Sequence, residues 1–97
     1  MSTEFICLAT FTAKEEQREK LKEILISLVH ETRKEPGCVK YTVNQGTDNK
    51  NFFSVVEYYK DEAACEFHGN QPYLRALKEI LPDLVDYSAI NKYTEIA

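Results

Sequence analysis

The sequence predicts an α+β domain whose strands and helices follow the order β-α-β-β-α-β. Three features of the chain predict this order. A charged helical stretch ends at Glu35-Pro36-Gly37, because a residue before proline is pushed away from helical angles and glycine permits a turn. Two stretches of alternating residues follow, and the polar turn between them at residues 46–51 suits an antiparallel hairpin. A second helical region and a last alternating stretch complete the chain.

The first strand is predicted over residues 4–12, where β-prone residues alternate and both faces are largely apolar. Thr12 is expected to cap the next helix, with Glu15 completing a capping box. That helix is predicted from residue 13 to about 34, because apolar residues recur there at helical spacing. These residues are Leu21, Ile24, Leu25, Leu28 and Val29. His30 lies opposite this stripe, so we expect it at the surface.

The hairpin strands are predicted at residues 38–45 and 52–59. One face of the return strand then carries Phe53, Val55, Glu57 and Tyr59. Asp61 is placed to cap a short helix that contains Phe67 and His68 and ends at Gly69. Asn70 is expected to cap a second helical piece, because Pro72 is tolerated in a first turn. The alternating tail at residues 87–96 is predicted as the last strand.

This order predicts a single domain over residues 1–97 with a ferredoxin-like fold, a four-stranded antiparallel sheet with helices on one face. The strands carry apolar residues on both faces, including Phe52, Val56 and Tyr58 on the face that the helices do not cover. An open apolar sheet face predicts a partner sheet. We therefore expect a homodimer that pairs through this face.

Composition excludes several classes of protein. Sixteen acidic and 12 basic residues give a net charge of −4, which argues against nucleic-acid binding. No apolar run is long enough to cross a bilayer, and the N-terminus lacks the pattern of a signal peptide. The three cysteines are scattered and form no Cys-x-x-Cys motif, which indicates reduced thiols in a cytoplasmic protein. His30 and His68 share no metal-ligand spacing, so we expect no metal site.

Several short motifs occur in a characteristic order along almost the whole chain. They are Glu35-Pro36-Gly37-Cys38-x-x-Tyr41, Phe53-x-x-x-Glu57-x-Tyr59-x-Asp61, Ala64-x-x-x-His68, and Tyr73. In this order and spacing the sequence resembles the antibiotic biosynthesis monooxygenase (ABM) domain family. The resemblance implies a dimeric α+β-barrel and oxygenation of quinols or other electron-rich aromatic molecules by O₂ without a cofactor.

This chemistry requires a dry cavity, a base, and hydrogen-bond donors for a developing oxyanion. His68 is the expected base, because only imidazole titrates near neutral pH without a shift. Glu57 is expected to orient His68 or to bind a substrate hydroxyl. The remaining candidates are substrate-binding residues: Tyr41, Tyr59 and Tyr73 as phenolic donors, and Val55 and Phe67 as inward-facing apolar groups. Each candidate also has a plain structural interpretation, as core packing, a turn or a salt bridge.

The sequence departs from two branches of the family. Positions that carry asparagine and tryptophan in some polyketide-modifying members correspond to Val55 and Tyr59, and the residues of the haem-degrading branch are replaced at Cys7, His68 and Leu77. Anthrone oxygenation is therefore in doubt and haem degradation is not expected. Two alternatives to a monooxygenase stay open: an isomerase of the same fold, and a non-catalytic dimer that binds a small ligand or responds to stress.

Overall fold

Four antiparallel strands form one sheet in the computed structural model, which describes residues 4–97; the three residues before them, part of the N-terminus considered for a signal peptide, lie outside the described part. The strands are β1 (Phe5–Ala13), β2 (Cys38–Gln45), β3 (Phe52–Tyr59) and β4 (Val85–Thr94). They lie in the order β2-β3-β1-β4. The ferredoxin-like sheet predicted from the sequence is confirmed.

Three helices cover one face of this sheet. They are α1 (Arg18–Arg33), α2 (Glu62–Gly69) and α3 (Pro72–Leu84), and a 3₁₀ turn, Glu15–Gln17, precedes α1. The second helical region therefore consists of two consecutive helices. The loop between β2 and β3 is short, and these strands pair as the predicted hairpin.

The core lies between the helices and the inner sheet face. Side chains alternate across a strand, so every second residue of β3 is buried from Phe53 to Tyr59 while its neighbours are partly exposed. The stripe of α1 packs against this face, with Leu21, Leu25 and Leu28 buried. Burying each of these leucines contributes about 1.5–3 kcal/mol of transfer free energy.

The start of α1 differs from the prediction at Thr12. Strand β1 continues to Ala13, because Thr12 pairs with Phe52 on one side and with Tyr87 on the other. The strand ladder thus holds Thr12 in extended conformation and it caps no helix. A 3₁₀ turn intervenes, and α1 begins five residues later than predicted, without a side-chain cap.

The junction between α2 and α3 confirms one predicted cap and contradicts another. The Asp61 carboxylate accepts a hydrogen bond of 2.8 Å from the Ala64 N–H, which confirms it as the N-cap of α2. Asn70 does not cap α3, whose N-cap is Gln71. The side-chain amides of Asn70 and Gln71 point back towards α2. Asn70 donates a hydrogen bond to the carbonyl of Glu66, and Gln71 donates one to the carbonyl of Phe67. These bonds add to those that the Asn70 backbone N–H makes to the same two carbonyls at the end of α2.

Gly37 allows the turn before β2 to approach α2 closely. A Cβ atom at this position would overlap the Cβ atom of Ala64. Gly37 also accepts, through its carbonyl, a hydrogen bond of 3.0 Å from the Lys60 N–H. Its role is therefore close packing, since no glycine among the described residues has positive φ.

None of the helices in the described part of the chain covers the outer sheet face. The alternation of the strands places on it Ile6, Leu8, Phe52, Val56, Tyr58, Tyr87 and Tyr93. Phe52, Tyr87 and Tyr93 are exposed. Within residues 4–97, no helix has the length and apolar character that spanning a membrane requires.

Candidate active site

A row of four side chains crosses the inner sheet face at one level. Glu57 on β3 pairs with Tyr41 on β2 and with Cys7 on β1. Cys7 in turn pairs with Lys92 on β4. The row therefore runs from the buried Tyr41 to the exposed edge of the sheet at Lys92. Glu57 lies near its buried end and only 5% of its surface is exposed.

Helix α2 places His68 over this row. Residues three apart lie on one helix face, so α2 buries both Cys65 and His68. His68 is 4% exposed, and its ring centroid lies 5.5 Å from those of Tyr41 and Tyr59. The expectation that Phe67 points inward is wrong, since Phe67 is 51% exposed. Burying His68 turns its chain neighbour Phe67 away from the sheet.

A carboxylate lies at each nitrogen of the His68 ring. Nδ1 is 2.9 Å from Glu35 Oε2, which is a hydrogen bond. Nε2 is 3.6 Å from Glu57 Oε1, close enough for electrostatic attraction but long for a hydrogen bond. The expected proximity of Glu57 and His68 is therefore observed. Within the described part of the chain, the His68 ring has these two carboxyl groups beside it and no hydrogen bond to a backbone carbonyl.

Glu35 belongs to this buried cluster, and the sequence pattern did not predict it there. The sequence suggested only the end of α1 at this position, yet its side chain is buried and also accepts a hydrogen bond from the Tyr73 hydroxyl. Its other oxygen, Oε1, has no hydrogen-bond partner within residues 4–97. Burying a carboxylate is costly unless it is paired. The pairing depends on His68, 33 residues away, so the local pattern carried no signal for it.

The tyrosines support the carboxylates. Tyr59 donates a hydrogen bond of 2.6 Å to Glu57 Oε1, and Tyr73 donates to Glu35 as described above. This differs from the expectation that both hydroxyls face a substrate. Tyr41 is the one predicted tyrosine that lines the cavity described below.

Burial controls the ionisation of the site. Desolvation raises the pKa of Glu57, while the Tyr59 hydrogen bond and His68 oppose this shift. Desolvation also raises the pKa values of Tyr41, Tyr59 and Tyr73, which therefore stay neutral donors at physiological pH. It raises the pKa of Cys7 to about 12, so this thiol is not a ready nucleophile.

A cavity of about 300 Å³ lies between the helices and the inner sheet face. This volume is at the small end of the range for ligand sites. Of the predicted site residues, Tyr41, Val55, Glu57 and His68 line it, whereas Tyr59, Tyr73 and Phe67 do not. The rest of the inner wall is mainly apolar: Ala9, Phe11, Leu25, Leu28, Leu74, Leu77 and Leu81. Glu57 and His68 thus form a buried acid–base pair in the wall of a cavity whose other walls are mainly apolar.

The cavity reaches the surface between α2, α3 and β4. Exposed residues line this mouth: Glu66, Asn70, Lys78, Ile90 and Lys92. In the part of the chain from residue 4 onward, no three His, Cys, Asp or Glu side chains are grouped to hold a metal ion.

Comparisons with known proteins agree with this architecture. The family model described as "Antibiotic biosynthesis monooxygenase" matches residues 4–80. "Putative monooxygenase YcnE" of Bacillus subtilis is 32% identical over 82 residues, which cover 80% of this chain and 86% of that protein. The crystal structure of SO0527 from Shewanella oneidensis has a TM-score of 0.94 and 30% identity, covering 100% of this chain and 96% of the other.

One further relative is longer than this chain. "Uncharacterized protein sll1783" of Synechocystis sp. is 29% identical over 84 residues, which are 87% of this chain and 57% of that protein. The chain thus spans little more than half the length of this relative. The family model covers most of the chain, and its match includes the row on the inner sheet face from Tyr41 to Cys7 as well as His68 and Glu35. The chain belongs to the antibiotic biosynthesis monooxygenase family.

Proposed function

We propose that the protein is a cofactor-independent monooxygenase that acts on a quinol or another hydroxylated aromatic molecule. One observation carries the proposal: a buried imidazole forms part of the wall of an apolar cavity, and its Nδ1 is held by the Glu35 carboxylate. This arrangement supplies a base in a cavity whose walls are mainly apolar. The family and the name of the Bacillus subtilis relative support a monooxygenase.

The first step is the transfer of a proton from a substrate hydroxyl to His68. Glu35 at Nδ1 favours the tautomer that carries its proton there, so the Nε2 lone pair is free to accept. The resulting imidazolium lies between two carboxyl groups, Glu35 and Glu57, which stabilise its charge. Glu35 acts as a positioning residue and His68 as the base.

The second step is the reaction of the substrate anion with O₂. A hydroquinone and O₂ give a hydroxyquinone and water, and the four electrons that reduce O₂ come from the substrate. One oxygen atom enters the ring and the other leaves as water. The apolar wall protects the electron-rich anion from protonation by solvent. Because the substrate is the reductant, the balance requires no further reductant.

Oxygen uptake with simple hydroquinones tests this proposal. His68→Ala is expected to lower the catalysed rate by about 100-fold or more, the usual contribution of a general base. The matched control is His30→Ala, which removes the exposed histidine of α1 and should leave the rate unchanged. Equal rates for the natural protein and His68→Ala would contradict the proposal. Ligand binding without any uptake would favour the non-catalytic alternative.

The role of Glu35 is tested by a double variant. Glu35→Gln removes the charge at Nδ1 and is expected to lower the rate by about tenfold. In a His68→Ala background the same change should cost nothing further, because residues that act as a unit are not additive. A purely structural role for Glu35 predicts an additional loss in both backgrounds.

We also propose that a second copy of the chain covers the outer sheet face. A two-fold axis lets the same patch serve both subunits, and a chain of this length gains stability by burying more surface. This face lies on the opposite side of the sheet from the cavity. Pairing therefore leaves the cavity mouth of each subunit open.

A further inference from the structure

The charges at the cavity mouth differ from those of the whole protein. The chain carries a net charge of −4, yet two lysines, Lys78 and Lys92, line the mouth against a single acid, Glu66. The lysines come from α3 and β4 and lie 14 residues apart, so no basic cluster is visible in the sequence. Folding brings them to the same opening.

Lys92 has a fixed spatial relation to the buried acid–base pair. It belongs to the same row across the sheet as Glu57, two strands away, with Cys7 between them. Two interstrand spacings separate the backbones by about 10 Å. Burial raises the pKa of Cys7, and the nearby positive charge of Lys92 opposes this rise by the smallest of the contributions.

Lys78 approaches the mouth from the helical side. Its Nζ donates a hydrogen bond of 3.0 Å to the carbonyl of Gly69, the last residue of α2. This contact holds the ammonium group beside the end of the helix that carries His68. The two lysines therefore reach the mouth from different elements, Lys78 from α3 and Lys92 from β4.

The floor between the two ends is suited to a flat ring system. In the next row of the sheet, Ala9 lies between the buried Val55 and Ile90 at the mouth, and all three line the cavity. The small side chain of Ala9 leaves space between its larger neighbours. The cavity thus has a carboxyl group and an imidazole at its buried end, an apolar middle and cations at its mouth.

We propose that the substrate is a hydroxylated aromatic molecule with a carboxylate at the end remote from its reacting hydroxyl. This rests on the proposed function and adds the substrate class and its orientation. The hydroxyl is directed inward, because the polar side chains at the buried end, His68, Glu57 and Tyr41, can bind it. The carboxylate is directed outward, since it would be repelled by Glu57 inside and is attracted by Lys78 and Lys92 at the mouth.

The test compares two probes that differ only in charge. In 6-hydroxy-2-naphthoate the hydroxyl and the carboxylate lie at opposite ends of two fused rings, and 6-hydroxy-2-naphthamide is its neutral counterpart. Titration followed by naphthol fluorescence is expected to show about tenfold tighter binding of the naphthoate, because exposed ion pairs contribute modestly. The preference should shrink as salt is added. Equal binding of the two probes would overturn the proposal.

Charge variants locate the effect. The double variant Lys78→Ala/Lys92→Ala should abolish the preference for the naphthoate and leave binding of the naphthamide within about twofold. The matched control, Lys20→Ala/Lys50→Ala, changes the net charge equally at exposed positions away from the cavity. Glu66→Gln should increase the preference. An equal loss in the control would overturn the proposal, because the attraction would then come from overall charge.

The outcomes separate this inference from the proposed function. A charge preference at the mouth without oxygen uptake from any hydroquinone would support the binding site and contradict the monooxygenase. Oxygen uptake that depends on His68 but shows no preference for carboxylated substrates would support the monooxygenase and contradict the inference. Binding of neither probe counts against the inference.

Discussion

At the level of single residues, His68 and its two glutamates form a buried group whose members are far apart in the sequence. Glu35 follows α1, Glu57 lies on β3 and His68 on α2. His68 and Glu57 could be predicted from the sequence, because an imidazole on a short helix and an acid on an apolar strand face are unusual. Glu35 could not, because its burial depends on the partner that α2 brings to it.

Replacing Glu57 by glutamine is expected to change how stability depends on pH. Burial raises the pKa of Glu57 above its ordinary value of 4.5. Between pH 4.5 and the raised pKa, Glu57 is ionised in the unfolded chain but still protonated in the folded protein. The folded protein therefore becomes less stable as pH rises through this range. The loss is about 1.4 kcal/mol for each unit by which the pKa is raised. Glu57→Gln cannot ionise and should lack this loss.

Urea unfolding from about pH 4 to pH 8 measures the effect. The difference in unfolding free energy between Glu57→Gln and the natural protein should move in favour of the variant as pH rises. The side-chain oxygen of the glutamine can still accept the Tyr59 hydroxyl, so the comparison isolates the charge. Glu79→Gln, at an exposed position of α3, is the control. Parallel curves for Glu57→Gln and the natural protein would contradict the argument.

At the level of elements, regular alternation made the hairpin predictable to the residue, whereas the helix ends were less so. Strands β2 and β3 have the predicted bounds because turn residues flank them on both sides. The start of α1 was misplaced, because the cap signal at Thr12 was weaker than the pairing of β1 with two neighbours. Turn and cap residues in the sequence thus predict the ends of an element correctly where no tertiary contact competes with them.

The Asp61 cap gives a prediction at this scale. Asp61→Ala removes the acceptor for the Ala64 N–H and is expected to cost about 1 kcal/mol. For a domain of this size that lowers Tm by about 4–8 °C. Asp61→Ser, which keeps an oxygen at the cap, should recover most of the loss. Thermal unfolding followed by circular dichroism measures both. Equal Tm values for Asp61→Ala and the natural protein would contradict a stabilising cap.

At the level of the whole molecule, the sheet has two apolar faces and the helices cover only one. The sequence made this visible, because Leu8, Val56 and Tyr58 alternate with residues of the inner face. What covers the outer face cannot be read from a single chain, since the partner supplies half of the contact. The homodimer therefore stays a prediction. A substitution on the outer sheet face is expected to have a large effect on the association of the two subunits.

Val56→Lys places a charge in the middle of the outer sheet face, where Val56 pairs with Leu8 and Thr42. A two-fold axis buries the new charge twice, so the dimer should dissociate at least about 100-fold more readily. Sedimentation equilibrium measures this directly. Ile26→Lys, which changes an exposed apolar residue of α1, should leave the dimer intact. If the natural protein is monomeric, or if both variants dissociate alike, the outer sheet face is not the interface.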